Sequence, residues 1–272
     1  MLYTRLRFIS ALAVMTVLAA CQNVLSPSTG NVISGSQGTA KTASGQPAVV
    51  LVAGATGGTG REVVKHLLLD DYQVRVLVRN EEKARALWGD SVDYAVGDVR
   101  KPAQLIDPLR DVDYVITSIG ATRGSASNSP EFVDYGGVRN LADVSKAQGV
   151  EQFVLVSSSG VTQEDHFLNK MFNNVLRWKL KGEDALRASG VPYTIVRPGG
   201  LLDTPGGKSK LIFAQGDTTA GAISREDVAM ICVAALGRSE ARYKTFETYS
   251  EKAAAKNTWQ SMFAALAADK PE

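Results

Sequence analysis

The chain has 272 residues, of which 44% are hydrophobic and 21% charged, at a formal net charge of +2. That balance suits one good-sized globular domain with some extra sequence and excludes a disordered chain. A charge so close to neutral gives no reason to expect nucleic acid as a partner.

The first residues stand apart from the fold. Arg5 and Arg7 precede an uncharged apolar run, Phe8 to Ala20, too short to span a bilayer comfortably. It closes on Leu18-Ala19-Ala20-Cys21, which resembles the lipobox of bacterial lipoproteins. That resemblance implies a signal peptide over 1–21, a lipid anchor at Cys21 and a membrane-anchored domain. Gln22 stands where an inner-membrane retention signal would carry Asp, so an outer-membrane lipoprotein facing the periplasm is the implied default. The alternatives are a simple cleaved signal or an uncleaved anchor with the domain in the cytosol. Residues 22–47 are rich in Ser, Thr, Gly, Gln and Asn and read as a flexible linker. The folded domain is expected over 48–272.

It opens with a short apolar run, Val49 to Ala53, followed by Gly54-Ala55-Thr56-Gly57-Gly58-Thr59-Gly60 and a helical pattern from Arg61 to Leu69. Buried strand, tight glycine turn and helix start are the context of a dinucleotide site. The glycines let the backbone approach a pyrophosphate, and the helix N-terminus offers unpaired N–H groups at the positive end of its dipole. A second strand, Val74 to Val78, ends in Arg79-Asn80. NAD sites usually carry an acid there, whereas an arginine suits the 2′-phosphate of NADP. The alternative for Arg79 is a solvated surface cation. A helix over Glu81 to Trp88 and a strand over Ser91 to Val96 lead into Gly97-Asp98-Val99. Asp98 there either meets the adenine or caps a helix starting near Pro102.

A fourth strand, Val112 to Thr117, runs into Ser118-Ile119-Gly120-Ala121, small enough to let a cofactor cross the sheet edge. After a polar loop, Thr122 to Pro130, a helix is expected over Glu131 to Gln148. The fifth strand, Gln152 to Val156, closes on Ser157-Ser158-Ser159-Gly160. One long helix is expected over Asp165 to Ser189, then a strand, Tyr193 to Val196, ending in Arg197-Pro198-Gly199-Gly200. Leu201 to Ala222 reads as a lid. Ser224 caps the next helix, with Glu226 and Asp227 in its first turn and Cys232 in its apolar run. The two cysteines are too far apart for metal or redox spacing, and no metal site is expected. Thr245 to Tyr249 reads as a last strand. Trp259, Met262, Phe263 and Leu266 share a helical face that packs on the domain.

Strand and helix alternate from residue 48 onward, specifying a single α/β domain: a Rossmann-type, doubly wound parallel sheet. Every polar cluster follows a strand, so all share the rim where such sheets bind ligands.

The glycine loop, Gly97-Asp98-Val99, Val154-Leu155-Val156-Ser157-Ser158 and Tyr193-Thr194-Ile195-Val196-Arg197-Pro198-Gly199 together resemble the atypical short-chain dehydrogenase/reductases, in particular the NmrA-like, NAD(P)H-binding subgroup. The similarity covers roughly residues 48 to 250. It implies NADP, with NAD as the lesser option. It places Gly54, Thr56, Gly57, Gly58, Thr59 and Gly60 at the phosphates and Arg79 at the adenosine ribose. Asp98 and Val99 fall near adenine, and Pro198 and Gly199 near the nicotinamide. Ser118 and Gly120 complete the cofactor-binding set.

The chain departs from that pattern at the catalytic acid. Dehydrogenases of the superfamily use Tyr-x-x-x-Lys on the helix after strand five, the phenol exchanging a proton as hydride moves. Here Lys179 and Lys181 are the candidate lysines, with Val175 and Arg177 four residues earlier, and no tyrosine lies between Tyr135 and Tyr193. Ser158 and Lys179 remain as candidate catalytic groups, Lys179 also as a ligand of the nicotinamide ribose. His166 and Lys170, four apart, form a further pair able to handle a proton.

Two readings follow. One is an NADPH-dependent reductase passing hydride to a small carbonyl, flavin or quinone-like acceptor. The other is a non-catalytic NADP(H)-binding module that senses redox state or assists assembly of a protein partner. An epimerase with bound cofactor is a weaker third.

Overall fold

In the computed structural model, residue 42 and residues 45–122, 126–218, 221–252 and 258–270 are described. The lipobox and nearly all of the 22–47 segment lie outside the described residues.

The first four strands are β1 (Val49–Ala53), β2 (Gln73–Val78), β3 (Asp93–Val96) and β4 (Tyr114–Thr117). They are followed by β5 (Gln152–Val156), β6 (Tyr193–Pro198), β7 (Gly200–Leu202), β8 (Lys210–Ala214), β9 (Ala222–Ser224) and β10 (Lys244–Glu251). Eight of them form one sheet in the order β3-β2-β1-β4-β5-β6-β10-β8. All its pairings are parallel except β10 with β8. The chain leaves β1 toward β2 and β3, then returns to place β4 on the other flank of β1. That reversal opens a crevice at the carboxyl ends of β1 and β4, where open α/β sheets take their ligands.

Alternation along β1 assigns its residues to two cores. Val50 and Val52 pack with α1 (Gly58–Leu69), α6 (Arg225–Ala235) and α7 (Trp259–Ala264). Leu51 and Ala53 pack with α3 (Gly136–Ala147) and α5 (Val175–Ser189). The shorter α2 (Glu81–Trp88) buries Ala84 in the first of these cores and packs Trp88 against it. Strand period two, with both faces covered, is what makes the central strands apolar throughout.

The structure departs from the sequence reading in four places. The expected helix near Pro102 is a single 3₁₀ turn, Pro102–Gln104. The helix at Glu131 begins as a π turn, Glu131–Tyr135, before α3. The expected helix over 165–189 is broken into α4 (Phe167–Met171) and α5 by Asn173 and Asn174, both left-handed at φ 51 and 58°. Asparagine tolerates that conformation better than other side-chain-bearing residues. Asn169, on α4, caps the second piece by accepting from the N–H groups of Leu176 (3.0 Å) and Arg177 (3.3 Å). Finally, the expected lid over 201–222 is pinned by strands. β8 pairs antiparallel with β10, and β7 pairs with β9. Leu211 is buried there, and Phe213 packs its ring on Phe246 at 4.4 Å.

A buried ionic cluster joins the end of the sheet to α5. Glu183, with no exposed surface, accepts from Ser157 Oγ (2.6 Å), Arg197 Nη2 (2.6 Å) and Arg187 Nη2 (3.0 Å). Arg197 also donates to Glu247 at 3.1 Å. A buried charge that loses its partner is strongly destabilising, because the desolvation cost stays. Glu183→Ala is therefore expected to lower unfolding free energy by about 3–5 kcal/mol in urea titration. A loss below about 1 kcal/mol, the scale of an exposed pair, would contradict the role given to this cluster.

Candidate cofactor and acceptor site

The crevice at the strand reversal is a cavity of about 530 Å³. Each wall comes from a strand end: Gly54 from β1, Arg79 from β2, Asp98 from β3 and Ser118 from β4. Gly54 sits at φ +84°, and a Cβ there would lie 2.8 Å from the Ser118 backbone. A Cβ on Gly60 would lie 2.1 Å from the Gly54 carbonyl oxygen. Glycine at these two points is what lets the turn close and α1 start directly at the crevice. The first N–H groups of a helix have no intrahelical partner, so its N-terminus is a ready anion site.

Of the glycine loop, Gly54, Thr56 and Gly57 line the cavity. Gly58, Thr59 and Gly60 lie behind them. Gly58 faces the Arg225 side chain, which a Cβ would meet at 2.8 Å, and Thr59 Oγ1 lies 3.4 Å from Arg225 Nη1. Arg79 is exposed and lines the crevice beside Asn80 and Lys83. Asn80 accepts from the Lys83 N–H at 2.9 Å, capping α2 and bringing its first turn to the ribose end. Arg61 also lines the cavity, its Nε donating to the Thr56 carbonyl at 3.0 Å. Sequence reasoning passed over Arg61, Lys83 and Arg100. Their signal was position alone, four to eight residues past a strand end.

Asp98 and Val99 line the crevice, but the Asp98 carboxylate is engaged by Arg100. The Arg100 Nε donates to its two oxygens at 2.8 and 3.1 Å, and the backbone N–H of Arg100 adds a bond of 3.0 Å. The side-chain hydrogen bond from Arg100 holds this carboxyl at about 2, below its ordinary 3.8. Asp98 caps no helix, since only the 3₁₀ turn follows. Ser118 and Gly120 line the cavity, and the Ser118 Oγ is buried without a hydrogen-bond partner.

Lys179 is placed differently. Its ammonium lies 2.7 Å from Oδ1 of Asp134, whose side chain has no exposed surface. The other Asp134 oxygen accepts from the Ala121 N–H at 2.9 Å. The π turn points Asp134 inward, and Gly182 lets α5 approach it, since a Cβ there would lie 2.3 Å from the Asp134 carbonyl oxygen. Lys179 is thus tied to the strand β4 rim through Asp134, and it forms no wall of the crevice. Ser158 donates to the Ser159 carbonyl at 3.0 Å and also lies outside the cavity walls, as do Pro198 and Gly199. The Pro198 carbonyl accepts from Ser159 N–H, and Gly199 is pressed against Gly221, whose carbonyl oxygen a Cβ would approach to 2.3 Å. His166 spends its Nδ1 capping α4 through the Leu168 N–H at 3.2 Å.

A second cavity, of about 450 Å³, shares Thr122 and Asn128 with the first. One side is formed by Ala121, Thr122, Ala126 and Asn128 to Pro130. The other is the break between α4 and α5, with Met171, Phe172, Asn173 and Val175. Among the described residues, Glu62, His66 and Glu226 come close enough to hold a metal, but Lys65 already bridges both carboxylates at 3.3 and 2.8 Å. Its hydrogen bond to Glu226 holds that carboxyl at about 2.

Residues present fit a nicotinamide dinucleotide: a glycine cradle at a helix start, cations at the ribose end and small residues where the cofactor would cross the sheet. Comparison with known proteins agrees. The chain is 36% identical over 243 residues to sanguinarine reductase of Eschscholzia californica, spanning 74% of this chain and 89% of that one. It is 36% identical over 230 residues to an uncharacterized chloroplastic protein of Arabidopsis thaliana, spanning 76% and 70%. Over 183 residues it is 38% identical to the chloroplastic protein TIC 62 of Pisum sativum, spanning 59% of this chain and 34% of that one. Among solved structures, ChuY, an anaerobillin reductase from Escherichia coli O157:H7, superposes with a TM-score of 0.65 at 23% identity, covering 75% and 98%. A short-chain dehydrogenase/reductase from Veillonella parvula in complex with NADP does so at 0.60 and 16%, covering 78% and 98%. At those identities the likeness is one of fold.

The expected membrane-anchored lipoprotein is corrected by these relatives, several of which are chloroplastic proteins. Among the described residues no helix is long and apolar enough to cross a membrane. The physical reason for the misreading is that arginines before a short apolar run, with no acid, also suit other targeting segments. Residues 54–239 match the profile of the NAD(P)H-binding family, and with the sequence identities above this chain belongs to it.

Proposed function

We propose that the chain is an NADP(H)-dependent reductase that delivers hydride to an acceptor held in the second cavity. The observation that carries this is a second cavity beside the cofactor crevice, with Thr122 and Asn128 lining both. A pure binding module has no need of that chamber. When bound, the dihydronicotinamide supplies the hydride.

The chain's own residues bind and orient. The first turn of α1 and Arg61 take the pyrophosphate; Arg79 and Lys83 take the 2′-phosphate. The unpartnered Ser118 hydroxyl is free to hydrogen-bond the cofactor beside the sheet edge. Lys179 acts through Asp134 on Ala121, fixing the wall between the chambers, and Ser158 steadies the neighbouring strand end. In this reading neither Lys179 nor Ser158 supplies a proton to the reacting atoms, and solvent does so.

The second reading, an NADP(H)-binding module that serves a protein partner, is favoured by the missing tyrosine and by the similarity to TIC 62. NADPH oxidation with a broad acceptor panel separates the two: steady turnover supports the reductase, and binding without turnover supports the module.

Two further outcomes test the cofactor end. Arg79→Ala is expected to weaken NADPH binding about tenfold, roughly 1.4 kcal/mol, and to leave NADH binding unchanged, as read by nicotinamide fluorescence. Equal weakening of both would remove the 2′-phosphate from Arg79. The Asp98–Arg100 pair predicts a pH effect. Because the Asp98 carboxyl is lowered in the fold, the pair stabilises above the ordinary pKa and that gain is lost as pH falls. The stability difference between wild type and Arg100→Leu should be full at neutral pH and vanish between about pH 4 and about pH 2. A difference that persists at pH 2 in denaturant titrations would assign the effect of Arg100 to its bond with the Ser127 carbonyl instead.

A further inference from the structure

We propose that Arg225, at the start of α6, is a further affinity residue for the cofactor: it adds positive charge to the pyrophosphate end of the crevice from behind Gly58, and Asp203 sets how much of that charge the pyrophosphate meets. The proposal rests on dinucleotide binding and not on hydride transfer, so it holds for the reductase and for the binding module alike.

The first turn of α1 supplies no negative charge of its own. Its N-cap is Gly57, no side-chain hydrogen bond closes the turn, and the turn contains no acid. The orphan N–H groups and the positive end of the dipole therefore suit an anionic ligand. What packs on this turn is a cation. A Cβ on Gly58 would lie 2.8 Å from Cδ and 2.9 Å from Nε of Arg225, and Arg225 Nη1 lies 3.4 Å from Thr59 Oγ1. Gly57, the neighbour of Gly58, lines the crevice. A thin layer of glycine backbone thus stands between the guanidinium and the pyrophosphate position. A cation beside a helix N-terminus opposes the dipole. The same cation is favourable when an anion sits at that helix end, because the anion is attracted by both.

Arg225 is held in this place by more than one surface pair. Its Nε donates to Asp203 at 2.7 Å, and the loop that carries Asp203 is fastened to the next two residues of α6. Gly206 N–H donates to Glu226 at 2.8 Å and Gly207 N–H to Asp227 at 2.7 Å. Glu226 in turn pairs with Lys65 of α1 at 2.8 Å. Three consecutive residues, 225–227, thus tie the loop after β7 to the helix that receives the pyrophosphate. The Asp203 side chain is 84% exposed, so its hold on the guanidinium is weakened by solvent. Asp203 and the pyrophosphate are rival counter-charges for one cation. Neutralising Asp203 strengthens the field at the crevice, and neutralising Arg225 weakens it.

The test uses the full chain with NADPH and with adenosine 2′-phosphate, which keeps the base, ribose and 2′-phosphate and lacks the pyrophosphate. NADPH binding is read by nicotinamide fluorescence, and adenosine 2′-phosphate by its displacement of NADPH. Arg225→Gln is expected to weaken NADPH about tenfold and to leave the affinity for adenosine 2′-phosphate unchanged. Arg225→Lys, which keeps the charge, should recover most of that loss. Asp203→Asn should tighten NADPH binding about threefold, a gain that a merely structural ion pair does not give. Equal weakening of both ligands in Arg225→Gln overturns the proposal. So does a lack of recovery in Arg225→Lys, or unchanged or weaker NADPH binding in Asp203→Asn. Should Arg225→Gln fail to fold by circular dichroism, the exposed Asp203→Asn substitution decides alone. A wild type that binds no NADPH overturns the cofactor reading itself, whereas normal wild-type binding with an indifferent Arg225→Gln overturns this proposal only.

Discussion

The architecture depends on two backbone contacts that only glycine permits. Gly54 turns with its α-carbon against the Ser118 backbone, and Gly60 lies against the Gly54 carbonyl. The first contact holds the ends of β1 and β4 together at the point where the strand order reverses. The second sets the first turn of α1 over that same point. Any side chain at either position would push α1 away from the sheet edge, and the crevice would lose its anion-binding end. The cations at the ends of β2 and β3, and the chamber beyond β4, serve function only because this corner is fixed.

A second set of constraints works at the far end of the sheet. There the chain ties its elements together with buried charge: Glu183, Arg187, Arg197 and Glu247. Asp134 and Lys179 do the same work between the π turn, α5 and the Ala121 rim. Such pairs give little net stability relative to apolar packing, but they specify geometry, since any slip leaves a charge unpaired. Lys179 thus holds a wall in place through Asp134.

Much of this was legible from sequence, for identifiable reasons. Strands and helices of the nucleotide half followed from period two, period 3.6 and the glycine turn, and residues at each strand end were correctly placed on one rim. The break at Asn173 and Asn174 was not legible, because the apolar residues on either side keep a helical spacing through it. Residues 201–222 read as a lid because strands this short carry almost no periodic signal. Asp134 looked like one more polar position on an amphipathic helix, and only the π turn rotates it inward. Ser158, Pro198 and Gly199 occupy the expected rim but stand behind the walls, holding backbone to backbone.

The left-handed pair between α4 and α5 has an evolutionary consequence. It mechanically separates a short, half-exposed segment, residues 166–173, from the helix that carries Lys179 and Glu183. Substitutions of its exposed residues, Met171 among them, reshape one side of the second cavity while the buried Asn169 keeps α5 capped. Divergence of that cavity's wall therefore requires only a few changes next to the break. The dinucleotide corner and the ionic end of the sheet can stay as they are.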